Sequence, residues 1–316
     1  MTDTEHGDGP SDLDGMSIDR AVDIVDDDER NSSEVRETLA IVARDGTVRR
    51  EAVDDALANA SMVVTTAETR VELAAEKLDD ARETADPVSD MALVSARTDD
   101  FEARLDRIED RADDLGNAVQ EVLAMKDEGD LYEIARRIKR VTNAASEVQR
   151  IADDFQLEIE AFGEWLADAD RRAEELAGDV EALAESVNEL DAIAETLAVG
   201  DEGPEGEAAN RWAAAMVRHR VASLMIADLR AELAALRTWA ERESERSPSD
   251  IEPRLDEVQA SHEAVGERLV ARAEPEWTAR FDDRLTALDA ELEAMEPPVA
   301  WAAVEAVVAD HQPAVE

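Results

Sequence analysis

The chain has 316 residues, of which 80 are Asp or Glu and 33 are Lys or Arg, for a formal net charge of −47. Phosphate affinity comes from cations that displace condensed counterions, so this balance argues against nucleic acid and anionic lipid as partners. There is no cysteine, hence no disulfide framework and no thiolate chemistry, and the length alone allows roughly two domains.

Acidic chains poor in aromatics can be disordered, but here 44% of the residues are hydrophobic and they fall in helical register. Of the basic residues only Lys77, Lys126 and Lys139 are lysine. Acid spread over every segment, with arginine far exceeding lysine, reads as adaptation to a cytoplasm of molar salt, where repulsion is screened over ~3 Å or less. Residues 1–10 show no basic region followed by an apolar core, and the uncharged run Val221 to Ala227 falls well short of the ~20 residues a membrane span needs. The chain is therefore read as cytoplasmic and without a membrane span.

Residues 1–15, rich in Asp, Gly and Thr and without periodicity, read as a disordered acidic tail. Residues 16–50 predict a small helical cap. One helix follows Ser17 with Ile18, Val22 and Val25 on a face, and another follows Asn31, where Glu34 makes a capping box and Val35, Leu39 and Val42 are apolar. Asp45-Gly46 is a turn, and Thr47–Val48 a single extended step.

Residues 51–199 predict a bundle of long helices. From Val53 the apolar positions are Leu57, Ala60, Val64, Ala67, Val71, Ala74, Leu78 and Ala81, alanine recurring so as to admit a close neighbour. Asp86-Pro87 ends that helix. The next, about 89–125, carries Met91, Val94, Phe101, Leu105, Ile108, Ala112, Leu115, Val119 and Val122, and a break at 127–130 follows it. From Leu131 to Leu197, twenty positions at alternating steps of three and four are all apolar, the period of bundle or coiled-coil packing. Helices of this length joined by short turns run up, down and up. Two readings stay open for this stretch: one helix of ~100 Å at 1.5 Å per residue, or a turn near Asp168 to Asp170.

Residues 200–207, with Gly203, Pro204 and Gly206, read as a linker, and 208–316 as a second helical bundle. Its first helix places Trp212, Ala215, His219, Ala222, Ile226, Leu229, Leu233, Leu236 and Ala240 on one seam. Ser249 with Glu252 makes a capping box for a helix carrying Ile251, Leu255, Val258, Val265 and Leu269. Pro275 starts the next, and Val299 to Asp310 forms a short last helix that folds back on the second bundle.

Two basic clusters stand out against the charge: Arg136, Arg137, Lys139 and Arg140, and Arg218, His219 and Arg220. They are candidates for binding an acidic partner helix or an anionic ligand, against the plainer reading that they pair with surplus carboxylates of neighbouring helices. His219 lies on a seam, where a buried polar residue fixes helix register, and no His spacing suits a metal. The five tryptophans read as plugs at helix ends. Phosphate-binding, dinucleotide-binding, nucleophile-elbow and calcium-loop motifs are missing from the sequence, which argues against the common enzyme classes. No catalytic residue, metal or cofactor is predicted. Ala144, Ile151 and Trp165 beside the seam widen its apolar stripe, which favours an internal bundle over an open dimer, though monomer and homo-oligomer both stay open.

The segments Ala67 to Ala74 (AETRVELA), Phe101 to Ile108 (FEARLDRI), Arg111 to Gly116 (RADDLG), His219 to Ala222 (HRVA) and Ala227 to Leu233 (ADLRAEL), with the acidic composition, resemble the haloarchaeal proteins labelled halo transducer protein. That resemblance implies kinship with chemotaxis transducers, from which this chain departs in having no membrane span and no signalling-tip hairpin rich in Gln, Asn and Ala. The reading as a whole is an all-α protein, an elongated antiparallel helical bundle or coiled coil with a small N-terminal helical cap. Its expected function is that of a non-catalytic interaction module, a soluble signal-transduction adaptor with a protein partner. The alternatives are a structural scaffold or spacer, and an enzyme or ligand-binding bundle around His219.

Overall fold

The computed structural model describes residues 13–25, 31–197 and 207–311. Among them are ten α-helices and one two-stranded hairpin, an all-α helical bundle architecture as the periodicity predicts. The chain divides into two compact units, Met1–Glu83 with Phe101–Ala161 and Thr84–Asp100 with Phe162–Glu316, so the division falls inside long helices. Of the predicted linker, residues 200–206 lie outside the described residues, and Glu207 already starts a helix.

The first unit opens with α1 (Ile18–Val25), α2 (Ser32–Ala40) and the hairpin of β1 (Ala43–Arg44) and β2 (Thr47–Val48). Asn31 caps α2, its side chain accepting from Ser33 N at 3.0 Å. Thr47–Val48 is paired and not solitary, because Asp45 (φ 50°) and Gly46 (φ 73°) both take left-handed backbone, the two-residue turn whose twist suits a hairpin. Of the predicted tail, residues 1–12 lie outside the described residues, whereas Leu13 is 1% exposed and Gly15 N donates to Val48 O at 2.9 Å. Leu13, Val22, Val35, Leu39, Val42 and Val48 join Val53, Leu57, Val122, Leu131 and Ile134 in one core. Arg50 ties cap to bundle: its guanidinium donates to Lys126 O (2.8 Å) and Gly129 O (2.9 Å), carbonyls of the turn that follows Met125.

The bundle of this unit is built from residues 52–83 of α3 (Ala52–Ala85), 101–125 of α4 (Ala92–Met125) and 131–161 of α5 (Leu131–Ala167). Ion pairs Lys126–Asp54 and Arg82–Glu102 run in opposite senses along α3 and α4, and Arg70–Asp153 and Lys77–Glu160 in the same sense along α3 and α5, giving the up, down, up order. Ala60, Ala67, Ala74 and Ala81 are all buried. Their small size lets α5 reach the backbone of α3: Gln149 Nε2 donates to Val63 O at 2.8 Å and, seven residues on, Gln156 Nε2 donates to Arg70 O at 3.1 Å.

The second unit contains residues 92–100 of α4, 162–167 of α5, and α6 (Ala169–Thr196), α7 (Glu207–Glu243), α8 (Ile251–Arg272), α9 (Pro275–Glu293) and α10 (Trp301–His311). Here the open question between one helix and two is answered: the chain breaks at Asp168. That residue is extended (φ −131°, ψ 113°), and its carboxylate accepts from Asp170 N and Arg171 N, capping α6. The seam residues of α5 from Leu131 to Leu166 are all buried, and those of α6 from Leu176 on likewise, while Ala169 and Ala173 are only half-buried and Arg172 is buried between them. α6, α7 and α8 repeat the up, down, up arrangement, as Arg230–Asp256 and Arg237–Glu252 pair α7 to α8 in opposite senses and Arg254–Glu181 and Arg268–Asp191 pair α8 to α6 in the same sense. The predicted capping box of Ser249 and Glu252 does not form. Asp250 precedes α8 without a side-chain cap, and Glu252 accepts from Arg237 instead. Among the described residues no helix is long and apolar enough to cross a membrane.

Candidate interaction site

The basic residues singled out from the sequence occupy the two units separately. In the first, Arg136 and Arg137 both grip Glu133, with nitrogen to oxygen distances of 2.8 Å, Arg137 reaches Glu121 at 3.4 Å, and Lys139 reaches Glu37 at 3.4 Å. Arg140 is exposed and makes no ion pair with a described residue. In the second, Arg220 pairs with Asp289 and donates to Met216 O, whereas Arg218 is exposed and has no such partner among the described residues. Three of the four clustered cations in α5 are thus engaged by carboxylates of their own chain.

His219 of α7 meets His262 of α8. Their rings stack with centroids 3.8 Å apart and 12° between planes, and each Nε2 lies against the other residue's carbonyl oxygen, at 3.1 Å and 2.9 Å. A carbonyl only accepts, so both Nε2 atoms carry protons. Burial, and then the neighbouring His262, holds the His219 imidazole below its ordinary pKa. Gly266 leaves room for the stack, since a Cβ there would lie 2.6 Å from His219 Nε2. The pairing was visible in the sequence only as a polar residue in each of two antiparallel seams: His262 falls between Val258 and Val265.

A second buried constellation joins α4, α5, α6 and α7 within the same unit. The Arg97 guanidinium lies 4.1 Å from the Trp165 ring centre, Trp165 meets Trp239 edge to face at 5.5 Å, and Arg172 covers Trp239 at 3.9 Å. Arg97 forks to Glu175 (2.7 Å) and Glu232 (3.0 Å). Glu232 is largely buried, and that burial is the main reason its carboxyl is pushed up to about 7, against the attraction of Arg97 and with the repulsion of Asp179, Glu175 and Asp228. Arg172, 3% exposed, donates to Trp165 O and Leu166 O, the last carbonyls of α5, and pairs with Glu245 at 2.8 Å. Nothing in the sequence sets Arg172 apart from the other arginines of an acidic helix. Among the described residues no cluster of His, Asp and Glu is arranged to hold a metal ion.

One exposed surface remains that the charge pattern sets apart. The run Ala56 to Ala67 is twelve residues without a charge in a chain that is 36% charged. On α3 its outer side presents Ser61, Met62, Thr65, Thr66, Thr69, Arg70 and Leu73 along a shallow groove. Met62 is 64% exposed and Leu73 40%. Thr66 Oγ1 donates to Met62 O at 2.8 Å and Thr69 Oγ1 to Thr65 O at 2.9 Å, so these hydroxyls are satisfied by their own helix. The buried side of α3, centred on Ala60, Val64, Ala67 and Val71, is nearly opposite.

Comparison with protein-family models, with curated proteins and with solved structures gave no match. The candidate site therefore rests on its own geometry. Sequence reading passed over it because in the stripe of Met62, Thr66, Thr69 and Leu73 only Met62 and Leu73 are strongly apolar, the rest being threonine; the absence of charge over Ala56 to Ala67 marks it.

Proposed function

We propose that this protein is a non-catalytic helical interaction module, a soluble adaptor of a signalling pathway in a high-salt cytoplasm, and that it binds a protein partner through the outer face of α3. The observation that carries this reading is the uncharged stripe of Met62, Thr66, Thr69 and Leu73, left exposed on a molecule of net charge −47. Water and counterions solvate the acidic surface well, whereas this stripe gains by being covered with another apolar helix face. The resemblance of Ala67 to Ala74 and the other acidic helical segments to haloarchaeal transducer-like proteins supports the signalling half of the reading. The charge balance supports the high-salt half: circular dichroism is expected to show loss of helix on transfer from molar KCl to dilute buffer, and an unchanged spectrum would contradict it.

The partner is tested by placing a photo-activated cross-linking side chain at Thr66 and irradiating in molar KCl in the host cell. A polypeptide adduct at Thr66, missing when the same group sits at Glu189 on α6, is the expected result. No polypeptide adduct at Thr66 would sink the proposal.

A further inference from the structure

The outer stripe of α3 has a finer pattern than lack of charge. Stepping by three and four from Asn59 reaches Met62, Thr66, Thr69 and Leu73, a second seam on the side of the helix away from the core. In heptad terms Asn59, Thr66 and Leu73 take the a position and Met62 and Thr69 the d position. Glu76, next in the series, ends the seam.

The positions flanking such a seam decide which helix it accepts. On one side lie Ala58, Thr65, Glu72 and Asp79, and on the other Val63, Arg70 and Lys77. One flank is acidic where it is charged and the other is basic. In a parallel pair of identical helices, a residue on the first flank faces the residue five positions further on in the second flank of its partner, which sets Glu72 against Lys77 and Thr65 against Arg70, twice over by symmetry. An antiparallel pair brings like flanks together, Glu72 and Asp79 against each other and Arg70 against Lys77, which repels. Asn59 points the same way. A single asparagine at an a position finds its best partner in the same asparagine of a parallel, in-register neighbour, and it specifies a two-stranded pairing at some cost in stability. Its side chain is exposed in the single chain.

We infer that the outer face of α3 docks a second copy of this chain, helix against helix, parallel and in register, with Asn59, Met62, Thr66, Thr69 and Leu73 each meeting or neighbouring its own counterpart. This rests on the reading of the α3 face as a protein-binding surface and names its occupant. Lys77 and Arg70 already hold Glu160 and Asp153 of their own chain, so each cation bridges an internal and an external carboxylate in the pair. Two chains at −47 repel in dilute buffer, and salt at ~1 M cuts the screening length to ~3 Å, so the pair forms at high salt.

Light scattering of the full chain in molar KCl is expected to give a dimer. Met62→Glu and Thr69→Glu, both at exposed positions, are expected to keep the wild-type circular dichroism while weakening the dimer at least about tenfold. Because the chain has no cysteine, Thr66→Cys supplies a lone thiol that is expected to form a disulfide-linked dimer under mild oxidation, while Glu189→Cys stays monomeric. A strict monomer, a dimer indifferent to Met62→Glu, or a dimer in which Thr66→Cys fails to link would each overturn the inference. The cross-linking adduct at Thr66 separates the two claims: an adduct of twice the chain mass supports both, an adduct with a different polypeptide refutes the second copy and leaves the interaction reading standing.

Discussion

Replacing Glu232 with glutamine is expected to stabilise the protein above neutral pH, although it removes one partner of an ion pair. The side chain is 13% exposed and its carboxyl is raised from 4.5 to about 7, with burial as the largest cause and the pull of Arg97 already counted against it. A rise of this size corresponds to about 3 kcal/mol by which the ionised group disfavours the folded state, an order of magnitude set by ~1.4 kcal/mol per pKa unit. The sign follows from proton linkage. Between about 4.5 and 7 the folded state binds the proton more tightly than the unfolded one, so wild-type stability falls as pH rises through this window and the full penalty is present above it. Glutamine is neutral throughout and keeps the donor and acceptor shape. Urea denaturation in molar KCl from pH 4 to 9 should therefore show Glu232→Gln more stable than wild type by up to about 3 kcal/mol at pH 8, the difference vanishing near pH 4. A variant less stable than wild type at pH 8 would show that the attraction of Arg97 outweighs desolvation, and the reasoning would be wrong.

Three further outcomes follow from the second unit. Arg172→Leu is expected to cost about 3 kcal/mol, since it strips donors from Trp165 O and Leu166 O and leaves Glu245 without its partner, and Arg172→Lys is expected to recover little because lysine cannot both stack on Trp239 and fork; chemical denaturation and near-ultraviolet circular dichroism of the tryptophans read this. Gly266→Ala gains up to ~1 kcal/mol of helix propensity but drives a methyl group to within 2.6 Å of His219 Nε2, and overpacking of ~1 to 3 kcal/mol is expected to win, splitting the stacked rings; a proton titration by NMR should then find the His219 pKa closer to its ordinary value. Because the folded state holds His219 below that value, the unfolded chain takes up the proton first and stability contributed at this site is lost as pH falls below about 6.5. Thermal denaturation of His219→Gln, compared with wild type so that Glu232 cancels, should lack this loss.

The apolar periodicity of the chain carried most of the helical architecture, because a seam repeating at 3.5 residues has few ways to be buried. Asn31, the Asp45-Gly46 turn, Asp86-Pro87 and Pro275 act over a few residues and so were legible one by one. The break at Asp168 was legible only as one of two readings, since a junction of one residue leaves the register of Leu166 and Leu176 nearly intact, and the side chain that seals it, Arg172, resembles every other arginine in composition. The histidine pair needed the antiparallel pairing of α7 and α8 to be known before two distant seam positions became one contact. The outer face of α3 escaped notice for a different reason. Threonine counts as polar in any pattern, and the bonds to Met62 O and Thr65 O show that Thr66 and Thr69 satisfy their hydroxyls within their own helix.

The one-residue junction between α5 and α6 has a consequence for how this chain can change length. A residue added within a helix turns everything beyond it by about 100° around the axis, which a loop of several residues absorbs and a single extended residue cannot. An insertion or deletion at Asp168 would therefore swing Leu176, Val180, Leu183 and Val187 away from α7 and α8, while Asp168 would lose its hold on the first amides of α6. The junction acts as a fixed phase between two helical screws. Here the chain tolerates exchange of side chains far better than it tolerates a change in their number.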